Sequence, residues 1–475
     1  MRFEPHEYQR RAMRWIMDHP RCLLFLEMGL GKTTICLTAV ETLRRYGEAE
    51  RVLVIAPRTV AESTWSDETE KWDHLTLRVS NVIGTEKQRE RALQEDADVY
   101  VIGRDSTVWL CEHYNYKLPY DMVIIDELTS FKNPRALRFK ALKRSLKGMP
   151  RVVGLTGTPT PNGLLDLWAQ VYCIDNGDRL GKYITHYRDQ WFDYTMRNNI
   201  IVFIRPKKGA QEEIMDAISD IALSMRSEDW LQMPPLVTET VPVKLPEATM
   251  KRYRAFERDK VLELTKGGEA LTADSAASLV NKLAQFANGA IYAEDGSFAD
   301  AAQEQRRYIE IHDRKLVALE EIFFSEDHTQ SPLLVFYQYK HDCDRIIRHF
   351  EELKKAGKVS GFISKYSGWR DLRNWNNGVV CLLLAHPAST AYGLNMQQGG
   401  HRIAWFSTGW NLEQYQQATA RLYRQGQTHT VRVFNIVAKG TVDEKMARAL
   451  DTKGTDQRDV MKILADEIIH DVRKE

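Results

Sequence analysis

Short apolar runs alternate with longer amphipathic segments through the first half of the chain. The runs are rich in β-branched residues and are bounded by polar or turn-forming residues, as buried strands of a parallel sheet are. They occupy residues 52–56, 99–102, 122–125 and 152–155. Because the segments between them are long enough for crossover helices, the pattern predicts an α/β fold built on a parallel sheet.

The same alternation returns in the second half of the chain and predicts a second α/β lobe. Its apolar runs occupy residues 333–336, 379–384, 402–406 and 431–437. Between the two halves, residues 161–235 lack a clear strand rhythm, and residues 246–291 have the spacing of amphipathic helices. The fold class expected is therefore α/β, with two lobes and a helical region between them.

Two consecutive prolines at residues 234–235 interrupt regular structure and mark a boundary. We expect an N-terminal lobe at residues 1–235, which includes an insertion in its last part. A helical linker is expected at residues 236–310, and a C-terminal lobe with a terminal helix at residues 311–475.

Bulk composition narrows the class of protein. Of the 475 residues, 43% are hydrophobic and 28% are charged, which allows sizeable cores and excludes a disordered tail. Six cysteines without a CxxC pair exclude a disulfide scaffold and a zinc ribbon. No apolar run approaches the ~20 residues that cross a bilayer, so we expect no contact with a membrane. We also expect the protein to be cytoplasmic and monomeric. The net charge of +1 gives no bulk indication of a nucleic-acid partner.

A glycine-rich segment follows one apolar run and precedes a helical pattern. Residues 27–34 read EMGLGKTT, and a glycine loop between strand and helix is the context of a phosphate-binding loop. Gly29 and Gly31 would let backbone N–H groups approach phosphate oxygens. Lys32 would contact the β- and γ-phosphates of ATP, and the Thr33 hydroxyl would bind Mg²⁺. The nucleotide-contacting set predicted from this loop is Met28, Gly29, Leu30, Gly31, Lys32, Thr33 and Thr34.

The first glycine of the usual phosphate-loop pattern is missing, so a chance Gly-Lys-Thr turn is the alternative for this loop taken alone. Two adjacent carboxylates favour the phosphate-binding loop over the chance turn. Residues 122–127 read MVIIDE, and ligand sites of parallel sheets lie at the carboxyl ends of strands, so both carboxylates would face the loop. Asp126 suits the outer sphere of Mg²⁺, and Glu127 suits orienting and activating the attacking water.

Taken together, the motifs resemble the SWI/SNF-like ATPases of helicase superfamily two. Residues 155–162 read LTGTPTPN and resemble motif III of that family. Residues 417–427 read QATARLYRQGQ and closely resemble motif VI, including the trailing Arg-x-Gly-Gln. Residues 389–395 read STAYGLN and resemble motif V, and residues 5–9 read PHEYQ and resemble the adenine-reading Q-motif.

The resemblance covers residues 5–450 and implies two RecA-like lobes with ATP bound in the cleft between them. It implies a DNA-dependent ATPase that translocates on double-stranded DNA, usually without separating the strands. Two departures stand out: Leu26 holds a position that is usually Asp, and Thr129 holds one that is usually His. Since accessory chromatin-reading modules have no room, a compact motor of bacterial or phage type fits best.

The resemblance also assigns roles to single residues of the chain. Gln9 would read the adenine base. The residues that would couple the nucleotide site to the rest of the motor are Thr156, Thr158, Gly393 and Asn395.

Two arginines in the second half are candidates for catalysis. Arg421 and Arg424 are three residues apart on a predicted helix and would share one face. Arg424 could reach the γ-phosphate as an arginine finger, with Arg421 supporting it and Gln417 helping to hold the interface. A solvated basic helix is the alternative, and the matching spacing of Gln417 and the Gly-Gln pair favours the catalytic interpretation.

A basic segment follows the two carboxylates. Residues 130–151 carry eight lysines and arginines and no Asp or Glu. Phe139, Leu142 and Leu146 would form the inner stripe of a helix whose other faces are basic. Such a surface can neutralise backbone phosphates without reading sequence, although a solvated charged face is the equally weighted alternative. The residues proposed to contact DNA are Lys132, Arg135, Arg138 and Lys140.

Other functions stay open from sequence alone. A strand-separating DNA or RNA helicase would use the same nucleotide machinery. A nucleotide-gated module that loads a replication, repair or recombination partner protein onto DNA is a second alternative. Trp369, Trp375 and Trp410 are the tryptophans to inspect for base stacking, although most tryptophans of the chain are expected in the core.

Overall fold

The apolar runs form two parallel sheets, one in each half of the chain. The computed structural model describes residues 1–157, 159–160, 163–197, 200–230, 233–265, 273–292, 308–390, 394–409, 411–451, 467–470 and 472. These residues divide into two compact units, Met1–Gln232 and Met233–Glu475. The predicted α/β class with two parallel sheets and helices is therefore confirmed.

The first unit is built on a seven-stranded sheet. Its helices and strands are, in chain order, α1 (Glu7–Asp18), β1 (Arg21–Leu26), α2 (Lys32–Arg45), β2 (Val52–Ala56), α3 (Trp65–Lys71), β3 (Val79–Val82), α4 (Glu86–Leu93), β4 (Val99–Gly103), α5 (Thr107–His113), β5 (Met122–Ile125), α6 (Leu137–Ser145), β6 (Arg151–Thr156), α7 (Leu167–Asp175), α8 (Ile184–Trp191), β7 (Phe192–Arg197), β8 (Ile200–Pro206), α9 (Ala210–Ala217), β9 (Ala222–Met225) and α10 (Ser227–Trp230). The strand order is β3-β4-β2-β5-β6-β1-β9, with all neighbours parallel. Strands β2, β4, β5 and β6 are buried along their whole length, as expected where helices cover both faces.

The second unit is built on a six-stranded sheet. Its helices and strands are, in chain order, β10 (Leu236–Val243), α11 (Glu247–Thr265), α12 (Ala273–Asn288), β11 (Ala290–Tyr292), β12 (Tyr308–Glu310), α13 (Arg314–Phe324), β13 (Leu333–Phe336), α14 (Lys340–Lys355), β14 (Phe362–Lys365), α15 (Trp369–Asn376), β15 (Val380–Ala385), α16 (Pro387–Thr390), β16 (Arg402–Trp405), α17 (Leu412–Thr419), β17 (Val431–Ala438) and α18 (Val442–Asp451). The strand order is β10-β17-β16-β13-β15-β14, again with parallel neighbours. Separate apolar clusters line the two faces of this sheet, and a third joins α11, α12 and α18.

The structure differs from the sequence analysis in the middle of the chain. The stretch predicted to lack strands contains an antiparallel hairpin of β7 and β8, and β9 joins the first sheet beside β1. The expected helical linker begins with β10, which pairs with β17 at the edge of the second sheet. Its sequence, LVTETVPV, is rich in β-branched residues, and most of its side chains are exposed or half-buried, as they are in an edge strand.

Two further properties of the chain follow from the packing. All six cysteines are buried as free thiols, which agrees with their interpretation as small core residues. No helix within the described ranges is long and apolar enough to span a bilayer. Most of the predicted C-terminal helix lies outside the described residues, and Glu467–His470 is helical.

Candidate functional site

The glycine loop connects β1 to α2 at the carboxyl edge of the first sheet. Gly29 and Gly31 have φ values of 87° and 75°, in the left-handed region that favours glycine. Gly31 is the N-cap of α2, so free N–H groups of the first helical turn lie beside the loop. Met28 is half-buried and Leu30 is buried. The local backbone is therefore that of an anion-binding loop.

Lys32 is held across the base of this loop. Its Nζ donates to the carbonyl oxygen of Leu26 at 3.0 Å. Gly157, which follows β6, lies against the same place, because a Cβ there would be 3.3 Å from the Leu26 oxygen and 3.6 Å from the Lys32 Nζ. The motif III segment and the loop are thus in contact, and this glycine was not singled out from the sequence.

Gln9 also reaches the glycine loop. It is buried in α1, its Oε1 accepts from the His6 N–H at 2.9 Å, and a Cβ on Gly31 would lie 3.0 Å from its Nε2. The His6 ring stacks parallel to the Tyr8 ring at 5.6 Å between centroids. The N-terminal motif predicted from the resemblance is therefore beside the loop, with one amide oriented by the start of its own helix.

Thr34 is engaged by a residue that the sequence analysis missed. Its hydroxyl donates to the Glu68 carboxylate at 2.7 Å, and the Trp72 indole N–H donates to the same oxygen at 2.6 Å. Burial acts to raise the pKa of Glu68, but hydrogen bonds from Lys71, Thr34 and Trp72 hold it below its ordinary value. Trp65 and Glu68 lie three residues apart on α3 and Trp72 directly follows that helix, and this spacing could have identified Glu68.

Asp126 and Glu127 follow β5, and Asp126 is buried beside the loop. Burial and the Glu127 carboxylate raise the pKa of Asp126 to about 7, while Lys32 acts in the opposite direction. Glu127 has φ 52° and ψ 60°, a left-handed conformation that is uncommon outside glycine. Its N–H donates to the Asp126 Oδ1 at 3.1 Å. A strained carboxylate at a strand end is typical of functional sites.

The donor atoms at this place match those that Mg²⁺ prefers. The Thr33 hydroxyl at the start of α2 and the buried Asp126 carboxylate are both oxygen ligands, and a buried carboxylate next to a second one favours a neighbouring cation. No group of three or more His, Cys, Asp or Glu side chains that could hold a metal is found within the described ranges. Such a composition fits Mg²⁺, which usually takes one or two protein oxygens and completes its shell with phosphate and water.

The other residues predicted to couple the site lie in two places. Thr156 is buried at the end of β6, in register with Phe25 of β1. Thr129, which departs from the family pattern, is buried in the 3₁₀ turn Leu128–Phe131. Thr158 and Gly393 lie outside the described residues.

In the second unit, Arg421 and Arg424 converge on one backbone oxygen. Their Nη1 atoms donate to the Leu394 carbonyl at 3.4 Å and 3.0 Å. Arg421 is buried, and its Nε also donates to the carbonyl of Gln417 at 3.0 Å. The prediction that both arginines share a helix is wrong. Helix α17 ends at Thr419, and irregular turns with bonds over two, three and four residues follow it.

The segment that accepts these bonds is anchored by α15. The Trp375 indole N–H donates to the Met396 carbonyl at 2.8 Å, and the Asn376 amide donates to the Asn395 carbonyl at 2.8 Å. Gly399 packs flat against Trp375, since a Cβ there would be 2.3 Å from the indole ring. Asn395, predicted as a coupling residue, therefore lies in a segment contacted by α15 on one side and by the arginines on the other. Trp375 is a core residue.

The basic segment 130–151 has the predicted inner stripe of apolar residues. Two of its cations form ion pairs with aspartates that lie outside the segment. Phe139 and Leu142 of α6 are buried. Lys132 pairs with Asp166 at 3.3 Å, and Arg138 pairs with Asp105 at 3.6 Å. The exposed cations of the segment without a carboxylate within 4 Å among described residues include Arg135 and Lys140.

Comparison with known proteins gives an independent indication of the family. The SNF2-related domain model matches residues 8–289. Protein p41 of the Acyrthosiphon pisum secondary endosymbiont phage 1 is 37% identical over 465 residues, covering 95% of this chain and 96% of that protein. An uncharacterized ATP-dependent helicase of Mycoplasma genitalium is 24% identical and covers 97% of this chain, which spans 42% of the helicase.

A more distant relative is named DNA repair and recombination protein RAD54-like, from Gallus gallus. It is 24% identical over 461 residues, covering 90% of this chain and 62% of that protein. The family model matches more than half of the chain, and the phage relative is similar over nearly all of it. The chain therefore belongs to the SNF2-related family of helicase-like enzymes and is an ATPase.

Proposed function

We propose that this ATPase is stimulated by DNA and translocates along double-stranded DNA. The observation that carries the proposal is the assembly in the first unit of the glycine loop, Lys32, the Asp126–Glu127 pair and Gly157 of motif III. A relative that is named a DNA repair and recombination protein supports DNA as the polymer. Contact between motif III and the phosphate loop supports a link between hydrolysis and movement.

Within this proposal the first unit binds the nucleotide. The N–H groups around Gly29 and Gly31 cradle phosphate oxygens, and Lys32 exchanges its bond with the Leu26 carbonyl for one with the β- and γ-phosphates. Gln9 presents its amide to the base. Thr34 stabilises the loop through Glu68.

The carboxylates divide the chemistry between them. Thr33 and Asp126 would hold Mg²⁺, which when bound neutralises charge on the β- and γ-phosphates. Glu127 accepts a proton from the attacking water and orients it. The N–H of Glu127 donates to the Asp126 Oδ1, and the left-handed backbone of Glu127 forms the turn that carries both carboxylates. In the second unit, Arg424 supplies positive charge to the transition state, and Arg421 and Gln417 position it.

The proposed DNA contacts of the first unit are electrostatic. Arg135 and Lys140 are exposed and can reach backbone phosphates directly, while Lys132 and Arg138 would have to exchange an aspartate for a phosphate. Thr156, Thr158, Gly393 and Asn395 are proposed to transmit the state of the nucleotide to these contacts.

Steady-state hydrolysis tests the proposal. ATP turnover is measured without DNA, with a plain duplex and with a single strand of the same length, and Lys32→Ala serves as the inactive control. Stimulation by the duplex is expected, and its absence with every DNA would contradict the proposal. Displacement of a triplex-forming strand without displacement of a duplex strand is expected for translocation, whereas duplex displacement would identify a strand-separating helicase.

A further inference from the structure

A second basic surface lies at the edge of the second sheet and was not identified from sequence. It is the exposed side of the helix α15, and we call it the α15 surface. Its exposed cations are Arg370 and Arg373. In the part of the chain that the structure describes, neither arginine has a carboxylate within 4 Å.

The only carboxylate between residues 354 and 376 is already engaged. Asp371 accepts from the Ser367 N–H at 2.8 Å, from the Ser367 hydroxyl at 2.6 Å and from the Ser364 hydroxyl at 3.2 Å. These hydrogen bonds hold the pKa of Asp371 below its ordinary value, although burial acts in the opposite direction. Asp371 therefore closes the turn between β14 and α15, and the charges of Arg370 and Arg373 are left for an external anion.

A large aromatic ring is exposed beside these cations. Trp369 is 70% exposed, whereas Trp375 on the inner face of α15 is fully buried. Trp369 precedes Arg373 by four residues, about one helical turn, so the two side chains share a face of α15. Exposed aromatic faces beside unpaired cations are the combination by which proteins bind single-stranded nucleic acid, with cations on the phosphates and rings on the bases.

We propose that the α15 surface binds an unpaired nucleic-acid strand. Cations alone would serve a duplex, whose phosphates are exposed but whose bases are stacked on each other. A flat exposed indole gains contact area from a base only when that base is free to stack on it. The proposal rests on the proposed function and narrows it, since the preferred substrate becomes a duplex that adjoins a single strand.

The inner face of α15 connects this surface to the two arginines. Asn376 donates to the Asn395 carbonyl at 2.8 Å, and the preceding residue, Leu394, accepts from Arg421 and Arg424. A strand bound on the outer face of α15 is thus one helix and one short segment away from the candidate arginine finger. Binding there stabilises α15 and the segment that positions Arg424, so a forked DNA stimulates hydrolysis more than a plain duplex does.

Direct binding with the full chain tests the proposal. Fluorescence anisotropy is measured with a labelled single-stranded oligonucleotide and with a duplex of the same length. Trp369→Ala is expected to weaken single-strand binding about tenfold and duplex binding less than twofold, while Trp369→Phe retains most of the affinity. Because Trp369 is exposed, neither substitution removes core packing.

A charge variant supplies the second measurement. The pair Arg370→Ala and Arg373→Ala is expected to reduce the slope of log affinity against log salt for the single strand by about 1.4, that is ~0.7 per cation. The matched control, Lys251→Ala with Arg252→Ala on the exposed face of α11, is expected to leave the slope unchanged. An unchanged slope in the α15 pair would overturn the proposal.

Two other outcomes would also overturn it. If Trp369→Ala changes single-strand affinity by less than twofold, the indole is not a stacking platform. If it weakens single-strand and duplex binding equally, the surface does not select unpaired bases. The proposed function can fail separately. Single-strand binding that depends on Trp369, without any DNA-stimulated hydrolysis, would retain the α15 surface as a binding site and contradict the translocase. Hydrolysis stimulated by a duplex, with single-strand binding unchanged in Trp369→Ala, would support the translocase and contradict the α15 surface.

Discussion

The two units hold their functional charges in different ways. In the first unit, Lys32 donates to the carbonyl of Leu26 at the end of β1, and Asp126 and Glu127 directly follow β5. In the second unit, Arg421 and Arg424 lie in turns beyond a helix, and both donate to the carbonyl of Leu394.

We infer from this difference that the first unit determines nucleotide binding and the second unit determines the rate of hydrolysis. A site fixed by buried parallel strands can hold a nucleotide whatever the rest of the protein does. Arginines that depend on residues 394–396 can be moved by whatever contacts that segment, and α15 does so through Trp375 and Asn376. We therefore expect first-unit substitutions to affect nucleotide affinity and second-unit substitutions to affect turnover at unchanged affinity.

The largest effect is expected from Arg424→Ala. An arginine finger contributes about 10³- to 10⁵-fold to kcat, and the nucleotide Kd should change less than threefold because the first unit is intact. Turnover and binding of a fluorescent nucleotide are measured together. Arg448→Ala, which removes an arginine of α18 that is not proposed to act on nucleotide, is the control. A large loss of affinity in Arg424→Ala would show that the second unit also binds, and the distinction would fail.

Lys32→Ala is expected to have the next largest effect. Loss of a charged donor to the phosphates should reduce kcat/KM by about 10²- to 10³-fold, with a clear loss of nucleotide affinity. Lys87→Ala, on the exposed part of α4 in the same unit, should behave as wild type. Normal affinity in Lys32→Ala would remove the phosphate-loop assignment.

Sequence reasoning was sufficient where local pattern and burial agree. The continuous apolar runs identified β2, β5 and β13, because strands buried on both faces have no polar positions. The glycines of the phosphate loop predicted it from sequence, and Gly29 and Gly31 have the positive φ values that such a loop requires. The residues that determine each of these elements are consecutive in the sequence, so a local pattern is enough to predict them.

Contacts between distant residues were beyond its reach. The carboxylates that compensate Lys132 and Arg138 come from Asp166 and Asp105, which the sequence of the basic segment does not contain. The turn that replaces the expected helix at Arg421 is set by bonds to the segment near Leu394. Both depend on tertiary structure that local propensity does not encode.

Glu68 gives an intermediate prediction that sharpens the division between the units. Glu68→Ala removes the acceptor of the Thr34 hydroxyl and the Trp72 N–H, so the start of α2 loses its support. A hydrogen bond to a charged group contributes about 1.5–3 kcal/mol, and we expect the KM for ATP to rise about tenfold while kcat changes little. Glu68→Gln keeps one acceptor oxygen and should restore most of the KM. A kcat loss without a KM change would place Glu68 in the chemistry.

The smallest effect is expected from substitutions in the two basic surfaces, the segment 130–151 and the α15 surface. These substitutions test whether DNA affinity follows the number of cations in a surface or the number of its cations that lack a carboxylate partner in the structure. The segment 130–151 has more cations, but the α15 surface has none compensated by a carboxylate among the described residues. Each phosphate contact contributes about −0.9 to the duplex salt slope and about −0.7 to the single-strand slope. Arg135→Ala with Lys140→Ala should therefore flatten the slope for the duplex, whereas Arg370→Ala with Arg373→Ala should flatten it for the single strand.

The same measurement with Lys132→Ala and Arg138→Ala decides between the two views. If their aspartate partners hold them, removing these cations also removes one partner each from Asp166 and Asp105, and the duplex slope should change by less than that of the Arg135 and Lys140 pair. Equal changes in both pairs would mean that the ion pairs open on contact with DNA. The number of cations in the segment, rather than their exposure, would then set its affinity, and the sequence alone would have ranked the two surfaces correctly.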